Sequence, residues 1–161
     1  MLARNFRNAS IAVPIIFALV GTSAIAQELT GVLKKVKESG EMTLGHRDAS
    51  VPFSYLDDKQ QPVGYSMDLC LRVADAVKSE LKLPALKIKY NPVTSATRIP
   101  LVANGTVDIE CGSTVNNPER QAQVGFSLTT FIVSTKFIAK KANNLKTLND
   151  LKGKTVVCTA G

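Results

Sequence analysis

The chain predicts an α/β fold, a mostly parallel sheet with flanking helices, and three observations carry that reading. Apolar runs with strand character recur at residues 42–45, 86–90 and 107–111. Helical apolar spacing lies before and between them, at 29–36, 65–83 and 96–104. The connections are short and marked by Gly and Pro. Strands that alternate with helices over short loops form parallel sheets, because each crossover helix returns the chain to the same sheet.

Residues 1–26 read as an export signal. Arg4 and Arg7 supply a positive start, residues 11–20 form an apolar run broken by Pro14, and Ala24-Ile25-Ala26 fits cleavage before Gln27. The run is shorter than the ~20 apolar residues a membrane span needs. Removing it leaves 135 residues, enough for one core, and lowers the formal charge from +7 to +5. That balance suits an anionic ligand. Nucleic acid is not an expected partner, since the chain has no arginine-rich block, no aromatic-basic interleaving and no zinc spacing. No cofactor or metal is implied, because the single His46 has no ligand set at metal spacing.

Leu29, Val32, Leu33 and Val36 line one face of a first helix, and Gly40 is placed to stop it. Residues 42–45 form the first strand. The stretch to Gly64 carries Pro52, Asp57-Asp58 and Pro62, a turn pattern, with 53–56 as an edge strand. Residues 65–83 are the most regular helix. Ser66 is expected to cap it, Asp68 favours the macrodipole, and Met67, Cys70, Leu71, Ala74, Val77 and Leu81 form its apolar stripe. Pro84 ends it. The alternating strand 86–90 follows, then a short helix at 96–104, a strand at 107–111 and a helical turn at 118–123. A long β-branched strand is expected at 131–139, a brief helix at 145–151 and a closing strand at 154–158.

Cys70, Cys111 and Cys158 are an odd number, so at least one thiol is unpaired or pairs outside this sequence. Cys70 is expected as a buried free thiol on its helix face.

Four segments place an arginine or a hydroxyl where an apolar strand ends. They are Gly45-His46-Arg47, Thr94-Ser95-Ala96-Thr97-Arg98, Cys111-Gly112-Ser113-Thr114 and Pro118-Glu119-Arg120. Ligands of parallel sheets sit beyond the carboxyl ends of the strands. Arginine suits a carboxylate there, because its planar fork donates two parallel hydrogen bonds and stays charged. A cleft gathering these arginines and hydroxyls fits a small acid with two carboxylates. Glu110 would repel such an anion if exposed, so it is expected to face a basic or hydrogen-bonding neighbour. His46 and Asp108 read as structural.

The run Gly45-His46-Arg47-Asp48-Ala49-Ser50-Val51-Pro52-Phe53-Ser54-Tyr55, followed by Gly64-Tyr65-Ser66-Met67-Asp68-Leu69, resembles the family 3 periplasmic solute-binding proteins. Asn104-Gly105-Thr106-Val107-Asp108 and Asn116-Asn117-Pro118-Glu119-Arg120, with Phe126-Ser127 after them, fit the same family. The segments around Arg47, at 94–100 and at 110–114 look closer to its glutamate/aspartate-binding members. The resemblance implies a type II periplasmic-binding-protein lobe, with residues 27–139 as the first lobe and its hinge strand. Residues 140–161 would then only begin the second lobe, so the chain reads as truncated or as a fragment.

It further implies that Arg120 grips the ligand α-carboxylate, helped by Ser113 and the backbone around Val115. Arg47, Ser95 and Arg98 would receive the side-chain carboxylate. Val115 stands where a threonine is common, which removes a hydroxyl but leaves the N–H. By the same resemblance the protein would be a monomeric periplasmic receptor delivering glutamate or aspartate to the membrane permease of an ABC importer. It would perform no chemistry of its own. Two other readings share the fold: a periplasmic dehydratase, which needs a carboxylic acid poised for proton transfer, and an amino-acid sensor domain.

Overall fold

The computed structural model describes residues 28–159. The expected export signal and the final two residues lie outside them. Helix α1 (Gly31–Ser39) leads into β1 (Glu41–His46), and Gly40 between them adopts φ 66°, the left-handed geometry of a helix stop. Its N–H closes the last turn onto the Val36 carbonyl at 2.9 Å. A small antiparallel sheet of β2 (Ala49–Ser50), β3 (Ser54–Leu56) and β4 (Pro62–Val63) follows. Then come α2 (Tyr65–Glu80), β5 (Lys87–Pro92), α3 (Arg98–Ala103), β6 (Ile109–Glu110) and the single-turn α4 (Pro118–Gln121).

The main sheet is parallel, in the order β5-β1-β6. Strand β1 sits in its centre, paired along its length with β5 and at Leu44-Gly45 with β6. Met42 and Leu44 face the core, joined there by Val36 of α1 and by Met67, Cys70 and Ala74 of α2. On the opposite face Gly45 lies against Val93 and Val107, where an added Cβ would come within 2.9 Å of a Val107 methyl. Asp108 pins β6 to β1. Its buried carboxylate accepts from the Thr43 N–H at 2.8 Å and pairs with Lys35 at 2.8 Å. That is the structural role its position suggests.

Several expectations are corrected. Ser66 does not cap α2: the helix starts at Tyr65 after Gly64, and the Ser66 hydroxyl instead donates to the Gly112 carbonyl at 2.7 Å. Cys70 is no free thiol. It forms a disulfide with Cys111, tying α2 to the chain just beyond β6, while Cys158 is free and exposed. Residues 131–139 and 154–158 form no regular strand, because among the described residues no neighbouring strand offers them a ladder of hydrogen bonds. The brief helix expected at 145–151 is a 3₁₀ turn, Leu148–Leu151.

Candidate functional site

The three strands of the main sheet end side by side, at His46, Pro92 and Glu110. The loops leaving them therefore meet at one edge. From β1, the Arg47 N–H is held by the buried Ser54 hydroxyl at 2.9 Å, and its guanidinium donates to the Ser95 hydroxyl at 3.3 Å. Ser95 lies in the turn after β5. That turn is locked by two reciprocal bonds, Thr94 N–H to Thr97 Oγ1 at 2.9 Å and Thr97 N–H to Thr94 Oγ1 at 3.2 Å. The turn opens directly into α3, whose first residue is Arg98.

Arg98 is 5% exposed and its Nε has no hydrogen-bond partner. Burial pulls its guanidinium below its ordinary range; the nearby Glu110 opposes this, and the charges of Arg120 and Arg47 add to it. Glu110 shows the converse. Burial pushes its carboxyl above the usual range, against a Thr114 hydroxyl bond, the charges of Arg98 and Arg47, and the Gly112 N–H. The expected basic and hydrogen-bonding neighbours of Glu110 are thus present.

Arg120 arrives from a different element. Asn117 caps α4 by accepting the Arg120 N–H at 2.9 Å, Pro118 starts the helix, and the Arg120 guanidinium folds back onto the Val115 carbonyl at 2.8 Å. The structure therefore brings Arg47, Ser95 and Arg98 together, with Arg120 near enough for its charge to act on Arg98.

Ser113 and Val115 stand on the loop after β6 and border a cavity of about 310 Å³, whose other lining residues include Phe53, Ser66, Phe126 and Phe131. Arg47, Ser95, Arg98 and Arg120 do not line that cavity. Two of its lining rings pack on each other, Phe131 against Phe53 at 5.0 Å between centroids, and Phe131 lies 6.0 Å from Tyr65. The Tyr65 hydroxyl donates to the Thr130 carbonyl at 2.9 Å. His46 is buried, edge-on to Tyr90, with Asp48 at 3.7 Å from its Nδ1.

Gly112 is a site residue the sequence did not single out. A Cβ there would fall 2.1 Å from Glu110 Oε1 and 3.0 Å from Arg47 Cγ, so only a hydrogen lets those two side chains share the space. The available signal was a glycine one residue past the end of an apolar strand, among hydroxyls.

The exit loops of the parallel sheet thus collect charged and hydroxyl side chains at its carboxyl edge, where such sheets hold their ligands. The chain belongs to the bacterial extracellular solute-binding proteins, family 3, with the match running over residues 42–155. It is 62% identical over 148 residues to the L-glutamate/L-aspartate-binding protein of Pseudomonas aeruginosa, covering 91% of this chain and 49% of that protein. It is 51% identical over 129 residues to the glutamate/aspartate import solute-binding protein of Salmonella typhimurium, covering 80% and 43%. The protein of the same description from Escherichia coli is 44% identical over 161 residues, covering 100% and 53%. The chain thus spans about half the length of these relatives. All three are named as binding proteins.

Among solved structures, a variant of domain 1 of TmArgBP in its arginine-bound form matches with a TM-score of 0.54 at 22% identity, covering 62% of this chain and 71% of that one. A solute receptor for L-cysteine of Neisseria gonorrhoeae matches with a TM-score of 0.52 at 23% identity, covering 59% and 37%. At these identities the likeness is one of fold.

Proposed function

We propose that the protein is the extracytoplasmic solute-binding component of an amino-acid ABC importer, and that its ligand is glutamate or aspartate. The observation that carries the proposal is the gathering of Arg47, Ser95 and Arg98 at the carboxyl edge of the parallel sheet, with Arg120 beside them. Relatives named for glutamate and aspartate, at 44–62% identity, support the ligand class.

In this reading Arg47, Ser95 and Arg98 receive the side-chain carboxylate. Arg120 grips the α-carboxylate, with Ser113 and the Val115 backbone as further donors. Each charge-assisted bond contributes about 1.5–3 kcal/mol net. Residues 1–26 direct export and residues 27–139 form the ligand-binding lobe with its hinge segment. Residues 140–161 open a second lobe, and a membrane permease takes the ligand from the monomeric receptor. Ligand favours a closed form only through contacts that differ between open and closed forms.

The test is calorimetric titration of the chain with glutamate, aspartate and glutamine. Binding of both dicarboxylates with weak or no binding of glutamine supports the reading. Glutamine preferred over glutamate, or no acidic amino acid bound, overturns it.

A further inference from the structure

Glu110 ends β6 with its carboxylate turned in among the arginines. Its Oε2 accepts from the Thr114 hydroxyl at 2.9 Å, while Oε1 is buried and makes no hydrogen bond. Arg98 is buried too, with Nε unpartnered. A carboxylate oxygen and a guanidinium nitrogen that both lack partners away from water are costly to the fold. Two such groups at one sheet edge fit instead a site in which a second carboxylate completes the set. The packing around Glu110 is close, since an added Cβ on Gly112 would sit 2.1 Å from Oε1 and 3.0 Å from the Arg47 stem.

We propose that Glu110 is a positioning residue of the arginine site: its carboxylate is the internal counter-charge of Arg98 and Arg47 and competes with a ligand carboxylate for them. This rests on the acidic-ligand reading above. The charged groups facing Glu110 are Arg98 from α3 and Arg47 from the exit of β1. Thr114 and the Gly112 N–H, on its own loop, are neutral donors, and from α2 the neutral Ser66 hydroxyl holds the Gly112 carbonyl. Arg120 acts through Arg98. Three guanidinium groups and one carboxylate leave two positive charges, the number that two ligand carboxylates match.

The consequence is a proton-linked affinity. Burial already holds the Glu110 carboxyl above the usual range. A ligand carboxylate on Arg98 withdraws that counter-ion and adds a like charge, which raises Glu110 further. Binding therefore takes up protons, and affinity rises as pH falls. The slope reaches at most about tenfold per pH unit, where one full proton is taken up.

The experiment is calorimetric titration of glutamate into the full chain between about pH 5.5 and about pH 8, in buffers of differing ionisation enthalpy, for the wild type and for Glu110→Gln. The expected result is proton uptake and several-fold tighter binding at the acid end for the wild type. Glu110→Gln should show neither the uptake nor the slope. A wild type that binds glutamate with no proton uptake overturns the role of Glu110 and leaves the ligand reading standing; it requires no folded variant. A Glu110→Gln protein that keeps the wild-type slope overturns the role as well. Failure of the wild type to bind any acidic amino acid overturns both readings.

Discussion

A single arginine is informative only through its partners. Exposed ion pairs contribute little, a few tenths to 1 kcal/mol, whereas a buried guanidinium with an unfilled donor is committed to whatever completes it. Arg98 is of the second kind, so Arg98→Ala should lower glutamate affinity by roughly one to two orders of magnitude, the equivalent of about 1.5–3 kcal/mol. Glutamine affinity should fall much less, and titration of both ligands checks the difference. Equal losses would remove the side-chain role assigned to Arg98. At this scale part of the site was legible: the helical turn expected at 118–123 presents Arg120, and the helix expected at 96–104 carries Arg98 near its start. The burial of Arg98 was not legible, because burial depends on which residues from distant segments fold over it.

Elements depend on positions where the backbone meets itself. Gly64 has φ 124°, and a Cβ there would lie 2.6 Å from the Phe53 carbonyl oxygen and 2.8 Å from that of Pro52. Neither backbone atom yields without moving the small antiparallel sheet. Gly64→Ala should therefore destabilise the fold by about 1–3 kcal/mol, read as a lower urea midpoint. The Cys70–Cys111 disulfide joins two elements 41 residues apart. On loop-entropy grounds, Cys70→Ser should cost about 4 kcal/mol, again read from the urea midpoint, and dithiothreitol should destabilise the wild type similarly but not the variant. An unchanged midpoint in both would mean the bond does not constrain the unfolded chain. Helical spacing put Cys70 on the buried face correctly, but pairing is a matter of distance between elements, which spacing along one helix does not contain. The β-branched run at 131–139 shows the same gap, because strand propensity supplies a shape and only a neighbouring strand supplies hydrogen bonds.

At the scale of the whole molecule, the apolar surface is uneven. Leu128, Ile132, Ile138 and Val157 are 92, 87, 98 and 90% exposed, while the core gathers around β1 and α2. A contiguous apolar surface of more than a few hundred Å² in water promotes association. The chain by itself should bind an apolar dye such as anilinonaphthalene sulfonate and self-associate in light scattering, and Ile132→Lys with Ile138→Lys should reduce both. A monodisperse, dye-silent wild type would show that these side chains find cover. Legible in the sequence were the alternation of strands and helices, the parallel sheet, the family and the segments that carry Arg47, Ser95, Arg98, Ser113 and Arg120. Those follow from local periodicity and from motifs, both written in consecutive residues. It took the folded arrangement to show that Cys70 meets Cys111, that Ser66 reaches Gly112 instead of capping α2, and that the buried Arg98 Nε and Glu110 Oε1 lack partners. Each of those is a contact between segments far apart in the chain, and such contacts exist only once the strands are laid side by side.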